Sequence, residues 1–226
     1  HLSVFLKPSG KGKMSKRETA ALMQDGYSIF LKELQELGYT PEGVVNWIAL
    51  MGWSYDDHTE FFTLPDLVEK FSLDRLNPAP AAINFSKLDH FNGLHIRGLP
   101  DGDIARRVQP FFEAAGCAVD TGLLLQIAPL IRERMVTLDD AVPMAGFFFK
   151  EQVVPAAEDL VGKNMTPGES LQAVRRAYAL LAGMPEITHE SAEEPLRLLA
   201  DELGIKAGQL FGILRAAVTG QSISPP

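Results

Sequence analysis

The chain has 226 residues, 46% of them apolar, and a formal net charge of −8. That length buries a core without disulfides or metals, and the longest apolar run, 123–131, is too short to cross a bilayer. A lone cysteine, Cys117, excludes an intramolecular disulfide and suits a reducing, cytoplasmic setting, while the acidic balance excludes indiscriminate nucleic-acid binding, whose affinity comes mostly from neutralising phosphates.

The amino end departs from that balance. Lys7, Lys11, Lys13, Lys16 and Arg17 fall within the first 17 residues without a single acid, a cationic patch on an acidic body. Leu2 to Leu6 is the one convincing strand, closed by the turn residues Pro8, Ser9, Gly10 and Gly12. No secretory signal opens the chain, so the numbering is expected to start inside a longer protein.

From about residue 40 helix follows helix. Thr40-Pro41-Glu42 is an N-cap with proline in the first turn, ahead of an apolar face of Val44, Val45, Ile48 and Met51 that stops near Gly52. Thr63 and Asp66 open the next helix, with Leu67 and Phe71 expected to pack inward. Leu88, Phe91 and His95 share one face, as do Ile104, Val108, Phe111 and Phe112. Leu123 to Ile131 is apolar nearly all round, predicting a buried central helix whose exit carries Arg132 and Arg134. Thr166 with Glu169 and Ser191 with Glu194 read as capping boxes, and Leu210, Leu214 and Val218 mark a last helix ending near Gly220. Trp47 and Trp53 read as core. Arg106-Arg107 and Arg175-Arg176 read as solvated surface charge. The histidines are scattered without cysteine partners, so no metal site is expected.

The segment that carries chemistry is Gly12-Lys13-Met14-Ser15-Lys16-Arg17. Two ammonium groups and a guanidinium on a glycine-flanked loop can gather round a polyphosphate and stabilise the charge that develops on it. Lys13 to Arg17 resembles the second signature motif of class I aminoacyl-tRNA synthetases, in the Arg-ended form of the bacterial-type glutamyl-tRNA synthetases. Its surroundings are similar to that family in the same order: Tyr39 to Glu42, Asn46 to Trp53, Lys87-Leu88, Phe91-Asn92-Gly93 and Ile96-Arg97. Further on, Arg134 to Leu138, Phe147 to Phe149 and Leu214 to Gly220 resemble its anticodon-binding part.

That resemblance implies a mainly α chain: a stem-contact region over 1–98 carrying the loop, then an α-helical-cage anticodon-binding domain with subdomains over 99–150 and 151–226. It implies that Lys16 neutralises the phosphates of ATP and glutamyl-adenylate, with Lys13 and Ser15 shaping the loop. Arg17, Arg134, Arg215, Thr219, Gly220 and Gln221 would meet glutamate tRNA, Arg134 by reading the third anticodon base. The whole enzyme would use ATP, Mg2+ and glutamate as a cytoplasmic monomer that binds no membrane. This chain alone, without the family's first signature and glutamate pocket, is expected to hold no cofactor and form no adenylate. Residues 18–38 are longer than the family's usual link, and Glu18-Thr19 replaces its customary His-Gly, so no residue roles are carried across them. A class I lysyl-tRNA synthetase carboxy-terminal domain and a stand-alone helical protein-interaction module remain as alternatives.

Overall fold

Side-chain caps open most of the helices, because the first amides of a helix have no carbonyl partner within it. In the computed structural model, which describes residues 4–15 and 19–225, the chain is mainly α and forms two compact units, His1–Pro143 and Met144–Pro226. The first unit contains a two-stranded parallel pair, β1 (Phe5–Leu6) with β2 (Ala81–Ala82), Phe5 standing opposite Ala81. Of the strand expected over 2–6, residues 2 and 3 lie outside the described residues. Helices α1 (Thr19–Gln24), α2 (Leu31–Glu36), α3 (Pro41–Ala49) and α4 (Leu64–Lys70) fall between the two strands. Then come α5 (Phe85–Arg97), α6 (Asp101–Ala114), α7 (Thr121–Ile131) and, at the boundary, α8 (Ala141–Ala145). The second unit is built on α9 (Pro167–Ala182), α10 (His189–Glu202) and α11 (Ala207–Thr219).

The caps at Thr40, Thr63 and Thr166 form as expected: each hydroxyl accepts the amide three residues on, at 3.2, 3.3 and 3.3 Å. Asp66 and Glu169 return the bond to the amides of Thr63 and Thr166 at 3.0 and 2.7 Å, completing both boxes. The box expected at Ser191 is different. Thr188, in extended backbone, takes the cap and Ser191 becomes its third helical residue, so α10 starts three residues earlier.

Inward and outward faces also differ from expectation. On α3, Val44 and Trp47 are buried whereas Val45 and Ile48 are exposed, since α5 packs on the Gly43, Val44 and Trp47 side. Phe71 is 43% exposed with its ring 5.3 Å from that of Trp53, and together with Val45 and Ile48 it lines an open apolar groove of about 570 Å³. Helix α7 is two-faced: Leu124, Ile127, Ala128 and Ile131 are buried, whereas Leu125 and Leu130 are exposed. Val218 is exposed as well, the buried face of α11 being Leu210, Ile213 and Ala216. Arg106 pairs with Asp103 in solvent, but Arg107 forms a half-buried fork with Glu42 of α3, at 2.9 and 2.7 Å, and is not a surface charge. That fork holds the Glu42 carboxyl below the usual carboxylate range.

His95 is buried on α5, its Nε2 3.3 Å from Asn46 Oδ1 and its ring against that of Phe61. Burial pushes its pKa down, opposed by the nearby Glu42 carboxylate. Below about pH 6.5 the unfolded chain therefore binds a proton that the folded chain resists, so stability falls as pH drops through that range. Thermal melts between about pH 7.5 and 5.5 should show that fall, and His95→Gln should flatten it; an equal fall in the variant would assign the effect to other groups.

Candidate nucleic-acid interface

The signature segment stands on the strand pair. Lys7 N donates to Gly12 O (3.0 Å) and Met14 N to Phe5 O (2.8 Å), folding residues 5–14 back on themselves, while Ile83 N donates to Leu6 O (3.1 Å). Lys13 lies antiparallel to Leu6 and is exposed, and Ser15 is half-buried. Lys16 and Arg17 lie outside the described residues.

Residues on both sides of Lys16 rest on one core. Met14 within the segment and Leu22 after it pack against the cluster containing Leu34, Tyr39, Trp47, Ile83 and Phe91. Beyond Leu22 the Tyr27 ring stacks on Phe85 at 4.6 Å, and its hydroxyl donates to Asp89 Oδ2 at 2.9 Å. Tyr39 donates to the other oxygen of the same carboxylate at 2.6 Å. Burial and then that carboxylate hold the Tyr39 phenol well above its ordinary range, and the Asp89 bond raises Tyr27 too. Both phenols therefore stay protonated donors at physiological pH.

Arg134 ends a rigid run. Asp120 caps the start of α7 by accepting from Leu123 N at 2.6 Å, and the helix runs into a 3₁₀ turn, Arg132–Arg134. Arg132 is drawn back to Asp101 at the start of α6 (2.9 Å), and Met135, fully buried, donates its amide to Ile131 O (3.2 Å). Arg134, between them, is exposed.

In the second unit, α11 ends at Gly220, whose left-handed backbone (φ +72°) lets its amide reach Ala216 O at 2.9 Å. A Cβ there would lie 2.8 Å from Val153 Cγ1, so conformation and space both call for glycine. Thr219 donates its hydroxyl to Arg215 O (2.8 Å), and Gln221 donates its side-chain amide to Met144 O (3.3 Å). Arg215 is exposed. Of the residues singled out from sequence, Lys13 with Ser15 and Arg215 with Thr219, Gly220 and Gln221 thus form two local groups, with Arg134 on the first unit.

Sequence reasoning overlooked Asp89, half-buried beneath Tyr27 and Tyr39, and Asn92, fully buried; the only signal was that Asn92 stood in a family-like string. Among the described residues, no group of three His, Cys, Asp or Glu side chains could hold a metal ion, and no helix is long and apolar enough to cross a membrane.

Two family models match the chain: "Anticodon binding domain" over residues 103–226, and "tRNA synthetases class I (E and Q), catalytic domain" over 1–90. The latter extends through most of the region read above as stem-contact. The glutamate–tRNA ligase of Roseiflexus sp. (strain RS-1) is 39% identical over 232 residues, covering all of this chain and 44% of that ligase. That of Dehalococcoides mccartyi (strain CBDB1) is 37% identical, with 46% of it covered. The chain thus spans under half the length of these curated relatives. In fold, it superposes with a TM-score of 0.80 on the crystal structure of a glutamate tRNA ligase from Elizabethkingia meningosepticum CCUG26117 in complex with its amino acid, at 24% identity, covering all of this chain and 46% of that one. With the anticodon-binding description spanning more than half its length, the chain belongs to the anticodon-binding domain family, and over all of its length it is similar to part of the glutamate–tRNA ligases.

Proposed function

We propose that the chain recognises glutamate tRNA, at its stem and anticodon, within an ATP-dependent ligase that joins glutamate to that tRNA. The observation that carries the reading is the meeting of two family descriptions in one chain, each on the region whose side chains suit its task. Lys13, Ser15 and Lys16 serve the phosphates of ATP, for which an exposed ammonium and a hydroxyl on a glycine-flanked turn are fitting groups. Mg2+, when bound in the whole enzyme, would offset phosphate charge. Arg17, Arg134, Arg215, Thr219, Gly220 and Gln221 serve the tRNA: Arg134 offers a planar fork to an unpaired base, and the Arg215 group presents a helix end to the anticodon loop. By role the chain divides into a stem-contact region, 1–98, and two anticodon-binding parts, 99–150 and 151–226. The enzyme works as a cytoplasmic monomer.

Arg134 supplies the test. A bidentate base contact contributes about 1–3 kcal/mol of discrimination, so Arg134→Gln should narrow the preference between pyrimidine and guanine at the third anticodon position by about tenfold or more. The measurement is charging of transcripts differing only at that base, over a salt series, by the enzyme that carries this chain. Weakening of every transcript alike, with the salt slope lowered by about one, would mean a phosphate contact. No change at all would return Arg134 to a helix-end charge that faces the dipole.

A further inference from the structure

Asn92 lies on α5 with no exposed surface, between two segments far from it in sequence. Its Oδ1 accepts from the amide and the hydroxyl of Thr40, at 2.8 and 2.7 Å, and its Nδ2 donates to the carbonyl of Val136 at 2.6 Å. The amide cannot flip, because that would set two donors against Thr40 and an acceptor against a carbonyl. Val136 stands two residues beyond Arg134, with the fully buried Met135 between them. From the other side Asp140 Oδ2 accepts from Val136 N and Thr137 N, at 2.8 Å each, and Leu138 N donates to Gly38 O at 2.8 Å. The turn leaving Arg134 is therefore held by its carbonyl from within and by its amides from outside.

This mounting matters because a long, flexible side chain discriminates between base edges only if its own backbone is fixed to within about 0.5 Å. Through Asn92, α5 sets where the Arg134 backbone stands. We infer that Asn92 is a positioning residue for base discrimination by Arg134, an inference that rests on the reading of Arg134 given above. It touches no RNA in this role; it fixes the place from which the guanidinium reaches.

Three variants test this in the enzyme that carries the chain, read as the charging ratio between transcripts with pyrimidine and guanine at the third anticodon position. Asn92→Asp keeps an acceptor for Thr40 but sets an oxygen against the Val136 carbonyl, and the ratio should fall by about tenfold, the order of one bidentate contact. Asp140→Ala loosens the same turn from its half-buried side and should lower the ratio too, which decides the matter if Asn92→Asp fails to fold. Thr40→Val removes a hydroxyl that binds the far side of Asn92 and caps α3; it should lower the melting temperature and leave the ratio intact. If Asn92→Asp and Asp140→Ala both keep the wild-type ratio while Arg134→Gln loses it, the positioning role is wrong and the reading of Arg134 stands. A Thr40→Val ratio as low as that of Asn92→Asp would also overturn it, as general loosening. A wild-type ratio in Arg134→Gln would sink both together.

Discussion

Lys16→Ala should depress glutamyl-adenylate formation by about a hundredfold in the enzyme proposed to carry this chain, the loss of one charge-assisted contact in a transition state costing on the order of 3 kcal/mol. The expectation rests on the flanks of Lys16: Lys13 is exposed on a turn footed on the strand pair, and Met14 and Leu22 pack against one core. Flanks held in this way suit the proposed task of stabilising phosphate charge without reorganisation. Because Lys16 is assigned to phosphates, affinity for glutamate tRNA should stay near wild type. Glutamate-dependent pyrophosphate exchange reads the first effect and tRNA binding the second. Exchange at the wild-type rate would reduce the segment to a surface turn, and a parallel loss of tRNA affinity would move Lys16 to the RNA.

Gly43→Val should lower the stability of the first unit by about 3 kcal/mol, seen as a fall of roughly 6–12 °C in Tm for a chain of this size. Gly43 is the residue of α3 that meets Asn92: a Cβ there would lie 2.5 Å from Asn92 Oδ1 and 2.8 Å from its Cα, and a backbone atom cannot step aside cheaply. Valine must push the two helices apart, stretching the bonds between Asn92 and Thr40. Gly102→Ala is the matched control on α6, where a Cβ meets only Leu125 Cδ2 at an ordinary 3.9 Å. It should be neutral or stabilising by about 0.5–1 kcal/mol through helix propensity. Equal melting temperatures for Gly43→Val and wild type would show that α3 and α5 have slack at this contact.

What could be read from sequence is what neighbouring residues decide among themselves. Thr40, Thr63 and Thr166 announce helix starts because each cap closes within three residues. Ser191 misled because Thr188, three residues earlier, competes for the same role. Burial was legible only in part. The periodic apolar faces of α3 and α7 are real, but which edge of each faces a neighbour is set by α5 and α6, and nothing local says so. The pair Ala81–Ala82 has no strand pattern at all; it pairs because β1 lies beside it. The same holds at the candidate interface. A basic string and a lone arginine at a helix exit stand out in one dimension, whereas Asp89, which holds Tyr27 and Tyr39, and Asn92, which holds the turn leaving Arg134, look like any polar residue on a helix.

The footing of the signature loop has a kinetic meaning as well. β1 joins residue 5 to residue 81 in parallel, so four helices must be gathered before the two strands can meet. Closing so long a loop costs entropy that only later contacts return, and non-local pairing of this kind is slow beside the formation of helices from near neighbours. In the second unit α9, α10 and α11 follow one another with short connections and pack on one another, so contacts there are mostly local. The second unit can therefore reach its final form early, while the footing of the signature loop is completed late in folding. A chain caught partway would hold its helical scaffold before it could present Lys13.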